Sequence, residues 1–189
     1  KKKLPSGVKG ICEKINKLGL DFGIWVEPEM VNQDSDLYRD HPEWAIQVPG
    51  RNPALGRNQM ILDLSNPKVR EYLKVTLYTL FSSANIKYVK WDMNRNISDV
   101  FSSHLDQQSQ GKFHHLFILG LYDILEYLTK EFPDILFESC ASGGNRFDLG
   151  MAYYMPQTWT SDNTDAYERV HIQEGTSMCY PLSMISNHV

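Results

Sequence analysis

Residues Ile86-Lys87-Tyr88-Val89-Lys90-Trp91-Asp92 read as a β-strand that closes on charged side chains, and what flanks it decides the fold. β-Branched and aromatic residues at this density suit a pleated, half-buried element. Immediately upstream, Ser65-Asn66-Pro67 pairs capping residues with a proline at a first helical position. Val69, Tyr72, Leu73, Thr76, Leu77 and Leu80 then share one helical stripe. Downstream, Phe113, Phe117, Leu121, Ile124, Leu125 and Leu128 form a second stripe, Phe132-Pro133-Asp134 makes a turn, and Ile135 to Cys140 form another strand.

The same alternation extends in both directions. Val8, Ile11, Ile15 and Leu18 fall on one helical face closed by Gly19, and residues 21 to 27 follow as a strand ended by Pro28. A fourth strand is expected from Met155 to Asp162, a helix capped by Asp165 and Glu168 after it, and a fifth strand from Leu182 to Ser186. Residues 30 to 64 read as one long connection, of the kind that is commonly functional. Strands alternating with helices predict βαβ units and a parallel sheet. Neither Gly-x-Gly-x-x-Gly nor a Gly-x-x-x-x-Gly-Lys loop follows an early strand, which argues against a nucleotide-binding sheet. Polar and aromatic residues gather at the end of strand after strand, the habit of a (β/α)8 TIM barrel. Five strands fall short of eight, so residues 1 to 189 are expected to be part of a single barrel domain and the polypeptide to be longer at both ends.

Composition narrows the chemistry. The apolar set makes up 42% of 189 residues, close to the globular norm, and the net charge is −4. No long-range positive field exists to attract nucleic acid, and no apolar run reaches the ~20 residues that span a bilayer. Three cysteines, Cys12, Cys140 and Cys179, are odd in number and far apart, which fits a reducing, cytoplasmic setting better than a disulfide frame. The histidines lack a His-Glu-x-x-His spacing and no Gly-x-Ser-x-Gly elbow occurs, so zinc and serine hydrolysis drop out.

Side chains alternate along a strand, so Lys90 is expected to lie beside Asp92, where an ammonium would keep a nucleophilic carboxylate ionised. A structural ion pair is the plainer alternative. Asp162, in Trp159-Thr160-Ser161-Asp162-Asn163-Thr164-Asp165, is either a turn residue or one of two carboxyls facing across a pocket; Asp165 is the better helix cap, which frees Asp162. Two such carboxyls can cleave a glycosidic bond. Trp25, Trp91 and Trp159 lie near strand ends, where they serve either the core or a sugar's apolar face. The pair Gly143-Gly144 permits close approach of a ligand or merely a tight turn.

Four stretches in order carry a resemblance: Trp25-Val26-Glu27-Pro28-Glu29-Met30, Lys90-Trp91-Asp92-Met93-Asn94-Arg95, Ser139-Cys140-Ala141-Ser142-Gly143-Gly144-Asn145-Arg146-Phe147-Asp148, and Trp159 to Asp165. Together they resemble the α-galactosidases (melibiases) of glycoside hydrolase family 36 over nearly the whole chain. The resemblance implies that Asp92 is the nucleophile and Asp162 the general acid and base. It further implies that Trp25, Arg57, Lys90, Asn94, Cys140 and Gly143 contact galactose. The implied reaction is retaining hydrolysis of terminal α-linked galactose from oligosaccharides such as melibiose and raffinose, with no cofactor and no metal, by a full-length protein expected to be a homo-oligomer. The family's adjacent aspartates on an earlier barrel strand, and its flanking N-terminal and C-terminal β domains, lie outside this sequence. Two rival readings remain: a magnesium-dependent enolase-type lyase using Glu27, Asp92 and Glu138 with Lys90 as base, and a non-catalytic sugar-binding barrel fragment.

Overall fold

A computed structural model describes residues 3–187 of the chain. In order, the elements are α1 (Gly7–Asn16), β1 (Phe22–Val26), β2 (Met30–Asn32), α2 (Asp36–Asp40), β3 (Gln59–Ile61), α3 (Pro67–Ser82) and β4 (Ile86–Trp91). They continue with α4 (Phe113–Glu131), β5 (Leu136–Ser139), α5 (Leu149–Tyr154), β6 (Gln157–Thr158) and α6 (Ala166–Ser177). Contacts divide the fold into two compact units. The first contains the described residues up to Val26, Leu77–Asp92 and those from Thr129 onward; the second contains Glu27–Thr76 and Met93–Leu128.

In the first unit a four-stranded parallel sheet runs β1-β4-β5-β6. Trp25 pairs with Lys90, Lys90 with Glu138 and Glu138 with Gln157, so the carboxyl ends of all four strands share one edge. The buried face is filled by Val89 and Trp91, both fully buried, and by Phe137, whose ring meets Phe81 edge-on at 6.0 Å. The predicted face of α1 stays largely open: Cys12 is buried, whereas Leu18 is 73% exposed. The chain is thus an α/β fold with a parallel sheet, as the alternation of elements predicts.

The fourth expected strand shrinks to two residues, because Asp148 caps α5 and the chain enters the sheet only at Gln157. Its backbone continues the ladder once more, Trp159 N–H donating to Ser139 O at 2.9 Å, and then leaves. The expected fifth strand is a 3-10 turn at Leu182–Met184. A single parallel bridge from Ile185 to Thr158 follows it, since Pro181 starts the turn and Ile185 N–H is spent on Leu182 O.

The second unit holds α4's stripe, and all six residues expected on it are buried. Two departures mark the long connection before α3. It is folded, with β2 and β3 pairing antiparallel in the register Met30↔Ile61, and it contains α2, capped by Ser35 Oγ accepting from Tyr38 N–H. Asn66 begins α3 by accepting from Lys68 N–H at 3.0 Å. Beneath it, Asp63 is 1% exposed and accepts from both Ser65 Oγ and Ser102 Oγ at 2.5 Å, which satisfies a buried carboxylate with hydroxyl donors. Among the described residues no helix is long and apolar enough to cross a membrane.

Gly120 lets α4 touch the backbone at Leu64: a Cβ there would lie 2.0 Å from Leu64 O. Gly120→Ala is expected to cost about 3 kcal/mol or more by overpacking. Gly175→Ala, in α6 with nothing within 4 Å of its Cβ, should instead stabilise by up to ~1 kcal/mol. Thermal unfolding of the two variants checks both signs.

Candidate active site

Parallel pairing sets the first carboxylate. Asp92 N–H donates to Val26 O at 2.9 Å, extending the ladder one residue past β4 and aligning Asp92 with the end of β1. The Trp25 indole N–H donates to Asp92 Oδ2 at 3.0 Å. On the β5 side Cys140 N–H donates to Trp91 O at 2.8 Å, and the Cys140 thiol shares a hydrogen bond with the Asp92 carboxylate. Asp92, 6% exposed, therefore sits between an indole and a thiol, accepting as an ionised carboxylate does. Burial, and then the neighbouring Asp92 charge, push the Cys140 thiol up to about 12, against the opposing hydrogen bond from the Gly143 backbone.

Lys90 takes a different partner from the one its strand position suggests. Its ammonium pairs with Glu138 Oε1 at 2.9 Å, because parallel register sets Lys90 directly opposite Glu138 on the neighbouring strand, closer than Asp92 two residues along its own. Glu138 is fully buried and also accepts from the Tyr88 hydroxyl, whose ionisation burial and the carboxylate together push well above the ordinary phenol range. Lys90 Nζ also lies 4.6 Å from the centroid of Trp159.

The second carboxylate repeats the first one's device. The Trp159 indole N–H donates to Asp162 Oδ1 at 3.0 Å, with Trp159 itself 5% exposed and Asp162 open to solvent. The glycine pair serves this segment: a Cβ on Gly143 would stand 2.8 Å from Ser161 Cα, and Gly144 N–H donates to Thr160 O at 3.1 Å. Gly143 also sits at φ 90, in the left-handed region that favours glycine. The close approach is to the backbone before Asp162. Asp165 accepts from Tyr167 N–H and Glu168 N–H, the capping role expected of it. Among the strand-end tryptophans Trp25 is 49% exposed, whereas Trp91 is fully buried and belongs to the core.

In the second unit Glu27 organises two of the expected sugar contacts. Its Oε1 accepts from Asn94 N–H at 3.1 Å and Asn94 Nδ2 at 2.8 Å, and it pairs with Arg57 Nη1 at 3.5 Å. Arg57 and Asn58 both have positive φ, in a two-residue turn closed by reciprocal bonds between Gly56 and Gln59. A non-glycine residue held there is strained, a condition typical of functional positions. Arg95 Nη1 braces the turn at Gln59 O, 2.6 Å. From spacing alone Glu27 carries only a rival metal-binding role; its hydrogen bonds to Asn94, 67 residues on, have no signature in the sequence. Among the described residues no group of three or more His, Cys, Asp or Glu is arranged to hold a metal ion, and Glu27, Asp92 and Glu138 are each engaged by nitrogen, oxygen or sulfur donors.

Carboxylates, indoles and cations gathered at the carboxyl ends of parallel strands give this α/β protein a polar rim where open α/β sheets bind their ligands. The Melibiase family model matches residues 1–189, and the chain belongs to that family. It is 52% identical over 189 residues to α-galactosidase AgaA of Geobacillus stearothermophilus and 52% identical over 188 residues to α-galactosidase 1 of Pediococcus pentosaceus. The alignments cover 100% of this chain and 26% of each relative. The crystal structure of the GH36 α-galactosidase AgaB of G. stearothermophilus superposes with a TM-score of 0.97, at 52% identity, over 100% of this chain and 26% of that one. Structures of AgaA variants have been obtained with raffinose and with stachyose.

The raised Cys140 thiol has a reactivity consequence. At pH 8 only about one Cys140 in 10⁴ is thiolate, the form that alkylates. Iodoacetamide followed by peptide mapping should label exposed Cys179 and leave Cys140 unmodified in the folded protein. Rapid labelling of Cys140 would contradict the buried, Asp92-bound thiol.

Proposed function

We propose that this chain supplies the catalytic part of an α-galactosidase, within a (β/α)8 barrel completed by further polypeptide, and that Asp92 and Asp162 are its nucleophile and its general acid and base. The observation that carries the proposal is the repeated device at the sheet's carboxyl edge, each aspartate fixed through one oxygen by a strand-end indole at 3.0 Å. The relatives add support. The raffinose and stachyose complexes of AgaA are of variants that each carry, among their substitutions, a replaced aspartate, and those two aspartates are 70 positions apart, the interval from Asp92 to Asp162.

In the proposed reaction Asp92 attacks the anomeric carbon of a terminal α-linked galactose while Asp162 protonates the departing glycosidic oxygen. Water, deprotonated by Asp162, then displaces Asp92 and releases galactose with its configuration retained. Two inversions require carboxyls roughly 5–5.5 Å apart across the sugar. Trp25, Lys90, Cys140 and Gly143 are proposed galactose contacts in the first unit. Lys90 is held for that role by Glu138, which leaves the ammonium two further donors for hydroxyls. Arg57 and Asn94 of the second unit enter the proposal on the family resemblance, with Glu27 orienting both. Raffinose, stachyose and melibiose are the proposed substrate class. A magnesium lyase is disfavoured because its three carboxylates already hold proton donors.

In the full-length protein, Asp92→Ala is expected to lower kcat on an aryl α-galactoside by at least about 10³-fold without loss of folding. Added azide should restore part of the rate by occupying the vacated space and forming β-galactosyl azide. Undiminished turnover would remove Asp92 from the nucleophile's role. The isolated 189-residue chain, which spans about a quarter of its relatives' length, should release no measurable galactose from the same substrate.

A further inference from the structure

We infer that Arg169 is a positioning residue for Asp162, setting where that carboxyl delivers its proton; the inference rests on the acid–base role proposed for Asp162. Arg169 lies in the first turns of α6, seven residues past Asp162, and its side chain turns back along the segment it has just left. Nη1 donates to Ser161 O at 3.0 Å, and Nη2 donates to Thr160 Oγ1 and to Gln173 Oε1, each at 3.1 Å. The guanidinium carbon lies 4.4 Å from the centroid of Trp159, whose indole N–H holds Asp162 Oδ1. One side chain thus grips the three consecutive residues that precede the carboxylate.

The rest of the local structure makes this grip consequential. Asp162 is exposed, so packing does not fix it, and α6 buries none of its residues, so the helix is not held by an apolar face. Gly143 and Gly144 limit the 160–161 backbone by direct approach, while Arg169 holds it through Ser161 O and Thr160 Oγ1. Gln173, one turn along α6, accepts from Arg169 and from Thr160 Oγ1, which orients the guanidinium fork. A planar fork is required to donate to a carbonyl and a hydroxyl while stacking on an indole. Lysine offers the charge without that geometry.

An acid displaced by about 1 Å loses rate where a proton must be delivered and little where none is needed, and such misplacement can cost ~10²-fold. The test uses the full-length protein and compares kcat/KM, which reports the first displacement, on raffinose and on 2,4-dinitrophenyl α-galactoside, whose leaving group departs unprotonated. Arg169→Met should lose about 30- to 100-fold on raffinose and less than about 3-fold on the dinitrophenyl substrate, with Arg169→Lys intermediate on raffinose. On the dinitrophenyl substrate kcat should also fall, since Asp162 activates the water of the second step. Azide should restore it by attacking the galactosyl–Asp92 intermediate directly, with Asp92 as leaving group. Equal losses on both substrates, or none on raffinose, overturn the inference. Asp162→Asn is measured beside them: the same selectivity, larger in size, is expected, and its absence overturns the acid–base reading itself and with it the role of Arg169. Should the Met variant fail to fold by circular dichroism, the Lys variant carries the comparison alone.

Discussion

Parallel pairing in register is the constraint from which the first unit's chemistry follows. Because β1, β4 and β5 run the same way, with Trp25 opposite Lys90 and Lys90 opposite Glu138, every polar group carried near a strand's end emerges along one edge. An antiparallel neighbour would send half of them to the other side. The register also decides which partners meet. Trp25 reaches Asp92 because the ladder continues through the bond from Asp92 N–H to Val26 O, and a one-residue slip would turn either side chain to the opposite face.

A buried charge at such an edge is tolerable only when paired. Glu138, with no exposed surface, is neutralised by the Lys90 ammonium and further satisfied by Tyr88, so the cost of desolvating three groups is offset by their mutual contacts. The second unit solves the same problem with neutral donors: Asp63 accepts from two serine hydroxyls, and Glu27 from Asn94, with Arg57 close by. Fixing side chains in this way lowers the ordering that any bound ligand would otherwise have to impose.

Local signals predicted the elements where they were long or chemically marked. The α4 stripe is legible because six apolar residues recur at helical spacing over 19 residues, and the start of α6 because Asp165 is a capping residue whose oxygen has only nearby N–H groups to reach. Short elements escaped. A two-residue β6 and a six-residue α5 contain too few residues for any period to register, and the run after Pro181 suits a 3-10 turn as well as the expected fifth strand. The β2–β3 pair was invisible because its strands are three residues each and separated by 26 residues of chain.

What the sequence determined alone was the α/β alternation, the absence of nucleotide and zinc motifs, and the presence of four ordered stretches that mark the family. These depend on residue types at fixed short spacings, which backbone geometry translates directly. Only the tertiary structure decided that Lys90 belongs to Glu138, that Gly143 makes room for the backbone at Ser161, that Trp91 is core, and that Arg169 reaches back to the segment before Asp162. Each of those is a contact across strands or loops, set by register and close packing, and no periodicity along a single chain encodes which neighbour stands opposite.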